Sequence, residues 1–252
     1  MRVPLRHWLG SPGGRDGDDD NHHHRRAVLV LGLRPWLGWF ALSVIVGMQA
    51  GTVFRPLGSA GDTRVADWVD LLTPYAVLGT AAVVLARANA ARAQWTLFGV
   101  GAVTFALGKG VHLAANSVGN VADPALADAS IVHLWDEVVS HLIWFTGLFL
   151  VILAIAWALR AVEFPTGGID LVVAGLVAVT LVNNYIEGAQ PVLGLVFLAA
   201  LLALGLRWRP APVSRLLLAV GGIGLVLLLG WGAYWFVADG SLFPEFSELG
   251  WI

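Results

Sequence analysis

Hydrophobic residues along this chain fall into long runs, separated by short stretches rich in Arg, Pro, Gly and Asp. Neither an alternation of period two nor a narrow amphipathic stripe organises them, so the runs read as helices that are apolar on most sides. Runs of about 17–25 residues, rising 1.5 Å per residue, cross about 30 Å of hydrocarbon. Seven spans are predicted, over residues 34–54, 68–88, 95–117, 131–160, 169–189, 192–208 and 213–237. Stretches such as Glu163-Phe-Pro-Thr-Gly-Gly, Gln190-Pro191 and Arg207-Trp-Arg-Pro-Ala-Pro punctuate them. The expected fold is an all-α, seven-helix transmembrane bundle over 27–238, multi-pass in the cell membrane.

Composition agrees with this pattern. Of 252 residues, 58% are hydrophobic and 13% charged, against about 25% charged in a soluble domain. Mean hydropathy is +0.75. Lipid is therefore the expected surrounding partner. A net charge of −2, with no basic stripe, argues against nucleic acid. The absence of cysteine excludes disulfides, thiolate metal sites and cysteine nucleophiles. Residues 1–26, dense in Gly, Asp, His and Arg, read as a disordered tail with no signal-peptide pattern ahead of the first span. His22, His23 and His24 within it form either a short metal-binding tract or simply part of a solvated tail. Residues 239–252 read as a short acidic C-terminal tail. No signal for an oligomeric state accompanies these features.

Charge sidedness sets an orientation. Arg25 and Arg26, Arg87 and Arg92, Arg160, and Arg207, Arg209 and Arg215 all fall on one side of the predicted spans, whereas Asp123, Asp128, Asp239, Glu245 and Glu248 fall on the other. Arg55 and Arg64 are exceptions, partly offset by Asp62 and Asp67. The positive-inside rule then predicts a cytoplasmic N-terminus and an extracytoplasmic C-terminus.

With that orientation the intramembrane polar residues gather at one height, in the outer half of the bundle. Span 4 opens with His133-Leu-Trp-Asp-Glu-Val-Val-Ser-His141. At helical spacing His133, Glu137 and His141 share one face, with Asp136 and Ser140 beside them. Lys109, His112 and Asn116 share a face of span 3. Span 5 ends near Glu187, Gln49 and Thr52 close span 1, and Asp67, Asp70 and Thr73 open span 2. The cytoplasmic halves are almost wholly Ala, Val, Leu and Gly. Ionisable groups inside a membrane are costly and mark functional sites by default, so this band predicts an extracytoplasmic-side pocket.

Several chemistries fit the band. In the first, His112, His133, His141 and Glu187 hold Zn²⁺ or another divalent metal with an open position for water, while Glu137, Asp136, Lys109 and Ser140 supply the catalytic groups. That reading makes the protein a metal-dependent, hydrolase-like membrane enzyme acting on a lipid or amphiphile. Lys109 would repel a divalent cation, so it either pairs with an acid such as Asp136, Glu137 or Glu187, grips an anionic group, or is neutralised by burial. Seven spans with His, Asp and Ser near one face resemble the alkaline ceramidase and adiponectin-receptor superfamily of membrane hydrolases. Span 7 lacks the His pair of those proteins, so their residue roles are not carried over. The alternatives are a proton- or ion-coupled transporter using the same residues as a relay, a haem protein ligated by His112 and a span 4 histidine, and a non-catalytic membrane subunit.

Overall fold

A computed structural model describes residues 16–61, 63–119 and 128–251. The tail before residue 16 and the loop carrying Asp123 and Pro124 lie outside the described residues, as do the side chains of His22, His23 and His24. The order is α1 (Asp16–Met48), α2 (Ala50–Val53), a 3-10 turn at Arg55–Leu57, a hairpin of β1 (Ser59–Ala60) and β2 (Thr63–Arg64), α3 (Val65–Arg87), α4 (Arg92–Gly119), α5 (Asp128–His133), a π turn (Leu134–Val139), α6 (Ser140–Leu159), α7 (Gly168–Glu187), α8 (Pro191–Arg207) and α9 (Val213–Ala238). Helix α1 thus begins inside the stretch assigned from sequence to the tail.

Five helices are long and apolar enough to cross a membrane: Val65–Arg87, Arg92–Gly119, Ser130–Leu159, Gly168–Glu187 and Val213–Ala238. Two shorter apolar helices accompany them, Gly32–Met48 and Pro191–Arg207. This is an all-helical, multi-pass arrangement, apart from the two-stranded hairpin. Helix ends fall where the breakers stand, with Pro191 at the first turn of α8 and Arg87 and Arg207 in the last turns of α3 and α8.

The closest helix pair is α4 with α6, and small residues make it possible. A Cβ on Gly108 would lie 2.7 Å from the Cα of Trp144, and one on Gly147 would lie 2.5 Å from the Cα of Phe105. Both helices run backbone to backbone there, as small-residue seams permit in apolar surroundings. Around this seam Phe105, Phe145, Leu148 and Val151 are almost wholly buried. Helix α1 packs on α3 and α7, and α9 on α7 and α8. The last residues fold back as a cap, with Trp231 Nε1 donating to the Pro244 carbonyl at 3.0 Å and Trp231, Phe246 and Trp251 in ring contact.

Candidate functional site

The polar residues of α3, α4 and the π turn meet in one cluster beside the α4–α6 seam. Lys109, 3% exposed, places Nζ 2.5 Å from Asp70 Oδ1 and 3.6 Å from the centroid of the Trp144 ring. A desolvated ammonium over an indole gains about 2 kcal/mol, and the carboxylate balances its charge. Pro74 stands one turn after Asp70 and has no N–H to give that residue's carbonyl, which opens the α3 backbone at the same level.

His112 lies between two carboxylates. Its Nδ1 is 2.8 Å from Asp136 Oδ1 and its Nε2 is 4.0 Å from Asp70 Oδ2. The rings of His112 and His141 are 5.0 Å apart, and His112 stacks on Trp144 at 5.4 Å. A continuous series of ionisable groups therefore runs Lys109, Asp70, His112, Asp136. Asp67 extends it toward the surface, taking Arg64 Nη2 at 2.8 Å and Asn116 Nδ2 at 3.2 Å.

The π turn sets the remaining geometry. Ser140 N–H donates to the Trp135 carbonyl, one residue farther back than in an α-helix. Three successive carbonyls of this turn take side-chain donors. Ser140 Oγ donates to Asp136 O, His141 Nδ1 to Glu137 O at 2.5 Å, and Gln190 Nε2 to Val138 O at 3.3 Å. Because a carbonyl only accepts, His141 carries its proton on Nδ1, which leaves Nε2 as the basic nitrogen of the neutral ring. The C-terminal end of α7 holds this ring in place, since a Cβ on Gly188 would come within 2.9 Å of His141 Cδ2.

The sequence-based residues divide accordingly. Lys109, His112, Asp136, Glu137 and His141 come together, with His141 Nδ1 3.5 Å from Glu137 Oε2. Ser140 is fully buried, its hydroxyl committed to the backbone. His133 does not join them. The π turn breaks the every-fourth-residue face and leaves His133 exposed. Glu187 is also turned elsewhere, its Oε2 accepting from Phe246 N–H at 3.0 Å and Ser247 N–H at 3.4 Å in the C-terminal cap. The expected four-ligand set of His112, His133, His141 and Glu187 is thus not assembled. Among the described residues, no group of three or more His, Asp or Glu side chains is placed to hold a metal ion. Lys109 pairs with Asp70, not with Asp136, Glu137 or Glu187. Asp70 is the residue that sequence reasoning left without a role, although its position at the start of span 2 already put it level with Lys109.

Buried polar atoms concentrate in the same place. Asp70 Oδ1, Thr73 Oγ1, His112 Nδ1, Asp136 Oδ1 and Trp144 Nε1 lack an aligned hydrogen-bond partner among the described residues. The short contacts of Asp70 and His112 are thus ion-pair contacts set off the hydrogen-bond axes. Unsatisfied buried groups are costly, which gives this cluster capacity to bind a polar group.

A cavity of about 580 Å³ lies elsewhere, at the opposite, arginine-bearing end. Its walls come from α1, α6, α7, α8 and α9, and no residue of the acid–histidine cluster lines it. Comparison with protein-family models, characterised proteins and solved structures finds no match to this chain.

Proposed function

We propose that the protein is a seven-span membrane enzyme, N-terminus cytoplasmic, whose acid–histidine cluster performs general acid–base chemistry on a lipid or other amphiphile at the extracytoplasmic face. The observation that carries this reading is the placement of His112 between Asp70 and Asp136, beside buried polar atoms with unused bonding capacity. Flanking carboxylates favour the imidazolium form, so His112 is suited to take a proton from water or a substrate hydroxyl and return it to a leaving group. Lys109 offsets the charge of Asp70, and Asp136 then balances the protonated ring. His141, its tautomer fixed by Glu137 O, is the second base.

Catalysis fits better than conduction because the ionisable series ends on an aromatic floor. Phe105, Trp144 and Phe145 are at most 3% exposed, and they close the cluster toward the arginine-bearing end. A proton entering from the acidic end meets a dead end, which suits delivery to a bound molecule. The topology rests on the two shorter apolar helices completing seven crossings and on the arginines gathered at one end. A zinc-dependent form of the same enzyme would rest on His112 and His141.

The test uses detergent-purified protein returned to liposomes of mixed phospholipids and sphingolipids, with lipid products read by mass spectrometry. Turnover by the wild type, lowered about 100-fold in His112→Ala and Asp70→Asn with folding retained, supports the proposal. Proton uptake by the vesicles without lipid turnover would overturn it in favour of a transporter. Metal content and an absorption spectrum of the same samples separate the acid–base form from a zinc or haem protein.

A further inference from the structure

The cavity at the arginine-bearing end has a chemistry of its own, independent of the acid–histidine cluster. At about 580 Å³ it falls within the roughly 300–1,000 Å³ that encloses a small-molecule ligand. Apart from Arg34 and Asp170, every residue lining it is Gly, Ala, Pro, Val, Leu, Ile or Phe. Such a wall offers no hydrogen bond to a polar occupant, and it favours a hydrocarbon chain over water.

The wall also reaches the surface of the bundle. Gly38 of α1 and Ile169 of α7 both line the cavity and are exposed, Ile169 to 74%. A Cβ built on Gly38 meets nothing within 4 Å. Both positions sit within apolar helices, so the entrance opens toward surrounding lipid.

Charge at the rim is unequal. Arg34 closes on Asp170 with two hydrogen bonds of 3.0 Å, a neutral pair. Arg215 reaches only the Thr166 hydroxyl, at 3.4 Å, and forms no salt bridge among the described residues. Thr166 directly follows the lining residue Pro165, and Arg215 precedes the lining residues Leu216 and Leu217. A cation without a carboxylate partner therefore stands beside an apolar cavity.

We propose that this cavity is a lipid-binding site, taking one acyl chain of an anionic phospholipid whose phosphate lies against Arg215 and Thr166. Anionic headgroups are drawn to basic residues at a membrane surface, and here the charge stands where an inserted chain would emerge.

The test incubates the whole protein in detergent with phosphatidylglycerol or phosphatidylcholine, removes excess by gel filtration and counts retained lipid per chain by mass spectrometry. Wild type is expected to retain phosphatidylglycerol stoichiometrically, about tenfold over phosphatidylcholine. Gly38→Trp fills the cavity and should abolish retention, and the smaller Gly38→Leu should reduce it, which guards against misfolding of the larger variant. Arg215→Gln should keep the chain but lose the headgroup preference. Equal retention of the two lipids by the wild type, or retention unchanged in both Gly38 variants, would overturn the proposal.

Discussion

The two ends of this helix bundle are built on opposite principles. At the acidic end, α3, α4 and the π turn bury charges in pairs, with Lys109 on Asp70 and His112 on Asp136. At the arginine-bearing end, α1, α7 and α9 surround a cavity with aliphatic walls. Buried ion pairs are strongly destabilised when one partner is removed, whereas side chains around open space adjust to substitution. One end is thus intolerant of chemical change and tolerant of little movement, and the other accepts added volume.

Substitutions can break this contrast. The largest effect is expected from Gly147→Leu, because backbone atoms of Phe105 occupy the space a side chain would need. The loss should exceed the roughly 1–3 kcal/mol of ordinary overpacking. Gly38→Leu, entering open space, should leave the denaturation midpoint in detergent nearly unchanged. If both unfold alike, the contrast fails. Next, Lys109→Ala should cost about 3–5 kcal/mol by stranding Asp70. The double variant Lys109→Met with Asp70→Leu should recover most of that stability in the same denaturation assay, yet remain without turnover.

Smaller effects refine the picture. Gln190→Leu removes the donor to the Val138 carbonyl, and chemical denaturation should register a loss of about 1 kcal/mol. The smallest effect concerns the C-terminal cap. Burial, then the nearby carboxylates of Glu248 and Glu187, raise the pKa of Glu245 above the usual carboxylate range, with His133 opposing. A group that holds its proton more tightly when folded stabilises the folded form below its unfolded pKa, and the benefit disappears as pH rises through the folded value. Amide exchange at Phe246 and Trp251 should therefore be better protected at acid pH than at neutral pH, beyond the intrinsic pH effect on exchange, with the difference flattened in Glu245→Gln. Equal protection at both would remove Glu245 as the cause.

Helix limits were readable from hydropathy because Arg, Pro and Gly stand at the borders. The predicted 95–117 and 192–208 compare with Arg92–Gly119 and Pro191–Arg207. The shared face of Lys109, His112 and Asn116 was readable too, since α4 keeps a regular period. His133 was misplaced because regular α spacing was assumed through Leu134–Val139, where the chain adopts a π turn. Two other features depend on contacts between distant segments. Asp70 finds Lys109 only when α3 meets α4, and Glu187 is claimed by main-chain N–H groups of the cap, to which periodicity is blind. The cavity arises from residues spread over five helices, none unusual within its own helix.

The π turn has a further consequence for how the chain can vary. It acts as a splice between two helical frames, one carrying α5 and the other α6. Shortening the segment by one residue between Leu134 and Val139 would restore a single frame and swing everything before the cut by about 100° relative to His141. Asp136 would leave His112, although the helix itself would run on unbroken. Length changes before Leu134 would instead be absorbed by the loop. A scan of single-residue deletions across this stretch should therefore show a sharp border at Leu134, with loop variation on one side and loss of the acid–histidine contact on the other.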